Sequence, residues 1–316
     1  MNPFTVYLIL QFSSALLFSL IFTVSQLYFV TIVQLDPLLL VLAGTILEAT
    51  VFFFEIPTGV LADVRSRRLS VIVGYALMGV GFVVEGTLPF FGTIALAQVV
   101  WGFGYTFTSG ATQAWIADEL GEDRAGEAYL RGAQAARAGA LVAIPLSVAL
   151  GSLSLQLPIV LGGVAMILLA VFLLFAMSEE RFTATPPGER TTWGLMLKTV
   201  GDARQLARRQ PILMVLLATS LFYGLYSEGF DRLWTPHLLE NLSGPWLDGP
   251  EPVVWFGLIR AAMLLISLAA TEVARRRVDT EQGLSLARSL LLNAAMIILC
   301  LAGFALTKNF WIAVGL

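Results

Sequence analysis

Cysteine and histidine are nearly absent from this chain, and each occurs once, as Cys300 and His237. A single cysteine excludes an intramolecular disulfide and a cysteine-rich metal site. His237 lies on a link that we predict to be solvated, where it could not support a Ser/His/Asp catalytic group. The sequence also lacks a Gly-x4-Gly-Lys-Ser/Thr phosphate-binding loop. We therefore expect no enzyme activity, no ATP hydrolysis, and no metal or other cofactor.

Charged residues are scarce as well. They make up 13% of the chain, and hydrophobic residues make up 57%, whereas soluble domains have about 25% charged and roughly 45–50% apolar residues. The formal net charge of -3 gives no reason to expect a nucleic-acid partner. This composition predicts an all-α integral membrane protein that is surrounded by a lipid bilayer.

Breaks at charged, proline and glycine residues divide the chain into nine full membrane spans and the start of a tenth. The predicted spans are 5–33, 37–62, 69–88, 92–117, 129–151, 156–177, 211–231, 252–273 and 284–306, and the tenth begins at Phe310. Each full span can cross a hydrocarbon core of about 30 Å.

The spacing of the spans predicts three regions. Residues 1–177 form an N-terminal six-helix bundle, residues 178–210 form a cytoplasmic linker with an amphipathic helix on the membrane surface, and residues 211–316 form a partial second bundle. Two sets of spans around one polar linker suggest a duplicated fold of the kind that builds many transporters.

The basic residues predict the orientation of the chain. Fifteen of the 19 Lys and Arg residues lie on links to one side of the membrane, whereas only Arg232 and Lys308 lie on the other. Because cytoplasmic links carry the excess of Lys and Arg, the N-terminus is predicted to be cytoplasmic. We expect the protein in the inner (plasma) membrane of a cell.

The link between the second and third spans carries a charged motif. It reads Gly59, Val60, Leu61, Ala62, Asp63, Val64, Arg65, Ser66, Arg67 and Arg68. This motif resembles the signature loop of the major facilitator superfamily (MFS), Gly-x-Leu-Ala-Asp-Arg-x-Gly-Arg-Lys. Six places match, and Val64 and Ser66 depart from the pattern. The fourth span also resembles a family pattern, with Gln98 where an arginine linked to proton coupling is usual.

The resemblance implies an MFS-type fold of two helical bundles and a secondary transporter that works by alternating access, closest in style to bacterial efflux proteins. It implies a latch between the bundles that closes against an eleventh helix, formed by Gly59, Asp63, Arg65, Arg67 and Arg68. The sequence ends in its tenth span. We therefore expect a chain that is truncated at its C-terminus, with an incomplete second bundle and half of the latch absent.

Several polar residues fall at membrane depth, where an ionisable group costs at least about 2.5–3.5 kcal/mol. Glu48 and Glu55 lie two helical turns apart and share a helix face. At the end of the seventh span, a local Asp–Arg pair is expected between Asp231 and Arg232. The candidate substrate or proton pathway comprises Glu48, Glu55, Gln98, Arg137, Glu228, Asp231 and Arg260. An alternative is that these residues pair across helix contacts and hold the bundles together.

Two hypotheses for function follow. The first is proton-coupled efflux of a small molecule, with the proton gradient as the energy source. The second is a non-transporting membrane receptor or assembly partner. A monomer is expected unless a partner completes the second bundle.

Overall fold

The computed structural model describes residues 1–184, 211–242, 244, 251–277 and 283–316. These residues form twelve α-helices and no strand. The helices are α1 Pro3–Phe22, α2 Ser25–Thr31, α3 Pro37–Val64, α4 Arg67–Thr87, α5 Phe91–Thr108, α6 Ala111–Leu120, α7 Glu122–Gly151, α8 Gln156–Ala176, α9 Pro211–Asn241, α10 Pro252–Arg277, α11 Gly283–Leu306 and α12 Phe310–Gly315. The predicted amphipathic helix of the linker lies outside the described residues.

Six helices in the described part of the chain are long and apolar enough to cross a membrane. They are Pro3–Thr31, Pro37–Val64, Arg67–Thr87, Glu122–Gly151, Gln156–Ala176 and Pro252–Val273. Of the other three predicted full spans, 92–117 is divided between α5 and α6, 211–231 lies within α9, and 284–306 lies within α11.

Two of the predicted spans are broken helices. The first span breaks at Thr23 and Val24, where Val24 N–H bonds Ile21 O three residues back at 3.2 Å. The fourth span divides into α5 and α6 at Gly110, whose φ of 70° lies in the left-handed region that favours glycine. Each break divides one predicted span into two helices.

Side-chain caps begin the helices of the first bundle. Asn2 accepts a hydrogen bond from Phe4 N–H at 2.9 Å, and Asp36 accepts one from Leu39 N–H at 2.8 Å. Pro37 follows Asp36 at the first position of α3, where a missing N–H costs nothing. Local sequence therefore determines where the long apolar helices start.

The chain divides into two compact units, Met1–Leu233 and Trp234–Leu316, so that α9 begins in the first and ends in the second. In the first unit, α1 packs on α7 and α8, α4 packs on α5 and α8, and α3 packs on α5. In the second unit, Trp255 contacts Trp311 with ring centroids 5.6 Å apart.

Glycines set the spacing between the helices of the first unit. A Cβ at Gly79 would lie 2.6 Å from Gly163 O, and a Cβ at Gly163 would lie 2.7 Å from Gly79 O. A Cβ at Gly139 would overlap the backbone oxygen of Phe12. Because lipid tails offer no hydrophobic drive between helices, such close backbone approach is a main source of their association.

We expect Gly139→Ala to destabilise the first unit by about 1–3 kcal/mol, because the added methyl group forces α7 away from α1. Gly126→Ala, on the same helix, is the matched control, since no described atom lies within 4 Å of its Cβ position. It should be neutral or stabilising by up to about 1 kcal/mol. Equilibrium unfolding in mixed micelles measures both variants, and equal stabilities would contradict the packing role of Gly139.

Candidate functional site

One charged cluster lies where α3, α4 and α6 meet, and we call it the Arg67 cluster. The Arg67 guanidinium forms an ion pair with Asp118 on α6 and lies 3.4 Å from Asp63 at the end of α3. It also donates to Ala114 O at 3.2 Å. The side chains of Arg67 and Asp118 are largely shielded from solvent. One cation therefore joins the ends of three helices.

The segment that follows α8 is tied to the same region by two glutamates. Glu179 accepts a hydrogen bond from Arg68 N–H at 2.9 Å, at the N-terminus of α4, where the helix dipole favours a negative charge. Glu119 on α6 accepts hydrogen bonds from Glu180 N–H at 2.8 Å and Arg181 N–H at 3.0 Å. The first residues of the predicted linker are thus held against the bundle.

Of the remaining residues of the predicted latch, Arg68 donates a side-chain hydrogen bond to Leu174 O on α8 at 2.6 Å. Arg65 is exposed. No atom of the described residues lies within 4 Å of the position that a Cβ would take at Gly59. The closing of this loop against another helix stays a prediction.

A second polar cluster lies at the opposite end of α4, and we call it the Glu85 cluster. Glu85 is 1% exposed and Gln98 is 2% exposed. Gln98 Nε2 donates to Glu85 Oε2 at 3.0 Å, and the Tyr28 hydroxyl donates to the backbone oxygen of Glu85 at 3.0 Å. Helices α2, α4 and α5 therefore meet at a buried carboxyl group.

A pair of charged residues on α9 also lies within the first unit. Arg232 Nε lies 2.9 Å from Glu228 Oε1. The pair rests on Gly44 of α3, where a Cβ would overlap Glu228 Oε1 and would lie 2.7 Å from Arg232 Nε.

This geometry corrects the expected pairing of Arg232 with Asp231. Arg232 forms its ion pair with Glu228, one helical turn earlier. Residues four apart lie on one helix face, whereas neighbours point in directions about 100° apart. His237 also differs from expectation, because it lies inside α9 with its ring 4.9 Å from that of Phe304.

Sequence reasoning did not include Glu85 among the candidate site residues. Glu85 lies two residues before the end of α4, where a charged side chain is expected to reach the membrane surface. A buried hydrogen bond to Gln98 depends on how α4 and α5 pack, so the sequence alone held no signal for that contact.

Of the other candidate pathway residues, Glu48, Glu55 and Arg137 belong to the first unit and Arg260 belongs to the second. Glu48 and Arg137 are exposed, on α3 and α7. Glu55 is half-buried, and its Oε2 atom is buried without a hydrogen-bond partner among the described residues. Arg260 is half-buried on α10, in the second unit. None of the three ion pairs among the described residues includes Glu48, Glu55 or Arg137.

These features define a polytopic helical membrane protein, and comparison with known proteins identifies its family. The model of the Major Facilitator Superfamily matches residues 7–316, so the chain belongs to this superfamily. A curated relative is an uncharacterized MFS-type transporter, YxaM, of Bacillus subtilis (strain 168). It is 22% identical over 202 residues, which are 63% of this chain and 50% of that protein. The chain thus spans about half the length of this relative.

Solved structures of transporters share the fold. A bacterial homolog of the human lysosomal transporter Spinster, in an inward-facing and unoccupied conformation, matches with a TM-score of 0.71, 16% identity and coverage of 99% of this chain and 72% of that chain. The nucleoside transporter NupG matches with a TM-score of 0.66, 16% identity and coverage of 88% and 69%. A peptide transporter POT in complex with sulfate matches with a TM-score of 0.64, 16% identity and coverage of 99% and 79%. The predicted family and all-α membrane fold are confirmed.

We expect Arg67→Gln to destabilise the protein by about 2 kcal/mol, because Asp63 and Asp118 lose a charged hydrogen-bond donor in a partly buried site. Arg65→Gln is the matched control in the same loop. Since Arg65 is exposed, its substitution should change stability by less than about 0.5 kcal/mol. Equilibrium unfolding in mixed micelles measures both, and equal effects would show that the loop arginines act only as surface charges.

Proposed function

We propose that the chain moves a small molecule across a membrane as a secondary transporter that works by alternating access. The observation that carries this proposal is the superfamily match over residues 7–316. The fold neighbours include a nucleoside transporter and a peptide transporter by their own descriptions. These structures are 16% identical to this chain. At that identity they support its fold, and its substrate has to be found by experiment.

The packing of the first unit suits a rigid-body mechanism. Glycine contacts join α4 to α8 and α1 to α7 without room for an added methyl group. Interiors packed in this way move as units and do not deform continuously. In transporters built from repeats, alternating access is largely the rocking of one such bundle against another around a fixed site.

We further propose that a proton gradient supplies the energy and that the direction is efflux of a small amphipathic compound. Support comes from the carboxylates at membrane depth, Glu48 and Glu55 on α3. Glu55 holds a buried oxygen with no hydrogen-bond partner among the described residues. An ionisable group inside a membrane has a high free-energy cost, and such groups usually mark a functional site.

The distribution of Lys and Arg supports an inner-membrane protein with a cytoplasmic N-terminus. In that orientation the Arg67 cluster faces the cytoplasm and the Glu85 cluster lies nearer the outside. A small-molecule substrate would meet the two clusters at opposite ends of its path.

We expect Glu48→Gln to reduce uptake driven by a pH gradient to the level of empty liposomes, because an amide cannot carry a proton at neutral pH. Purified protein would first be screened for thermal stabilisation by a library of amphipathic compounds. Stabilising compounds would then be assayed in proteoliposomes.

Glu240→Gln is the control for this experiment, since Glu240 is an exposed carboxylate near the end of α9. It should leave the flux unchanged. Unchanged flux in Glu48→Gln would rule out Glu48 as the proton carrier. Stabilisation by a compound without flux in the wild-type protein would favour the receptor hypothesis.

A further inference from the structure

The face of α7 that points away from α1 carries an exposed cation. The opposite face packs on α1, where a Cβ at Gly132 would lie 2.5 Å from Tyr7 Cε1 and a Cβ at Gly139 would overlap Phe12 O. At about 100° per residue, Arg137 is about 150° around the helix from these two glycines. Arg137 is exposed, so its guanidinium lies on the unpacked side of α7.

Arg137 also lies at membrane depth. Helix α7 is a candidate membrane span, and Arg137 lies 15 residues after its start at Glu122 and 14 residues before its end at Gly151. At a rise of 1.5 Å per residue, about 21 Å of helix separate Arg137 from either end. A bilayer with its headgroups is about 40–45 Å thick, so this position is close to the middle. A charged group there is costly in lipid, and such residues face a bundle interior or a water-filled cavity.

The exposed residues of α8 show how a surface suited to lipid differs from this face. Every exposed residue of α8 is apolar, among them Leu161, Leu168 and Phe175. On the unpacked face of α7, by contrast, Arg137 is exposed together with Gln134, one turn before it. The two helices therefore suit different surroundings, and the unpacked face of α7 suits a hydrated pathway.

The carboxylates on the helices packed against α7 already have other partners. Helix α7 packs mainly on α1, α6 and α8, and neither α1 nor α8 contains an acidic residue. On α6, Asp118 pairs with Arg67, and Glu119 accepts backbone hydrogen bonds from the segment after α8. The acidic residue of α7 nearest to Arg137 is Glu127, ten residues earlier. Arg137 is in none of the ion pairs of the described residues.

We propose that Arg137 binds the anionic group of the substrate, so that the molecule this chain moves is an organic anion with an apolar body. The inference rests on the proposed transport function and specifies the substrate class of that pathway. A guanidinium keeps its charge at every physiological pH, and its planar set of N–H donors matches the paired oxygen atoms of a carboxylate or phosphate group.

The residues next to Arg137 suit both ends of such a molecule. Gln134 lies three residues before Arg137, and residues three apart are neighbours on a helix surface. The Gln134 amide oxygen accepts a hydrogen bond from Arg131 Nη1 at 3.4 Å, which leaves its N–H groups for an oxygen atom of the ligand. Leu141, one turn after Arg137, is an exposed apolar side chain. It provides a surface for the apolar body of the anion.

The charge requirement is tested by equilibrium binding to the purified chain in nanodiscs of a zwitterionic lipid, with binding to empty nanodiscs subtracted. The probes are two organic anions, naphthalene-2-sulfonate and naphthalene-2-carboxylate, and their neutral amides, which keep the ring and lack the charge. We expect the wild-type protein to bind the anions at least about tenfold more tightly than the amides, as charged hydrogen bonds imply. Equal affinities, or no binding of either anion, would overturn the proposal without any variant.

Arg137→Gln tests the residue itself. This variant should bind both anions no more tightly than their amides, while its affinity for the amides stays within about twofold of the wild-type value. Arg137→Lys should lie between the two, because it keeps the charge and loses the planar set of donors. Arg124→Gln is the matched control, since Arg124 is an exposed arginine near the start of the same helix. It should bind the anions as the wild-type protein does.

An acidic side chain elsewhere in the chain is the competing partner for Arg137. In that case Arg137→Gln would lower the thermal stability of the protein and leave its affinity for the anions unchanged, which would contradict the proposal. Binding of the anions through Arg137 without flux in proteoliposomes would count against the transport proposal alone. Flux of a neutral or cationic compound that Arg137→Gln leaves unchanged would count against this inference alone.

Discussion

The close approach of α4 to α5 and α8 is the contact on which the first unit depends. Gly74 faces Gly104 on α5, and Gly79 faces Gly163 on α8, in each case with no space for a Cβ. These contacts also position both charged clusters, because Arg67 begins α4 and Glu85 lies near its end. At a rise of 1.5 Å per residue the two are about 27 Å apart, close to the roughly 30 Å thickness of a hydrocarbon core. One helix therefore carries a polar site at each of its ends.

Much of the fold could be predicted from the sequence. Long apolar runs indicated the membrane helices, and the loop from Gly59 to Arg68 indicated the family, because both signals depend on local sequence alone. The breaks at Val24 and Gly110 were not predicted, since neither has a charged residue or a proline beside it to mark it. Helix ends were easier to locate than bends because capping residues such as Asp36 are visible in sequence and bends depend on packing.

The candidate site was predictable only in part. Glu228 and Gln98 were recognised as polar residues at membrane depth, but their partners lie on other helices or on another helix turn. Arg232 pairs with Glu228 because residues four apart share a helix face, and the space at Gly44 accommodates the pair. Such contacts between helices far apart in sequence follow from tertiary packing, which composition and spacing do not encode.

The hydrogen bonds that Glu119 and Glu179 accept have a mechanical consequence. They fasten the chain after α8 to the N-terminus of α4 and to α6. The tether to the second half of the chain therefore starts at an anchored point beside Arg68 and not at the free end of α8. Any pull along the tether is then applied first to α4, the helix that connects the two charged clusters.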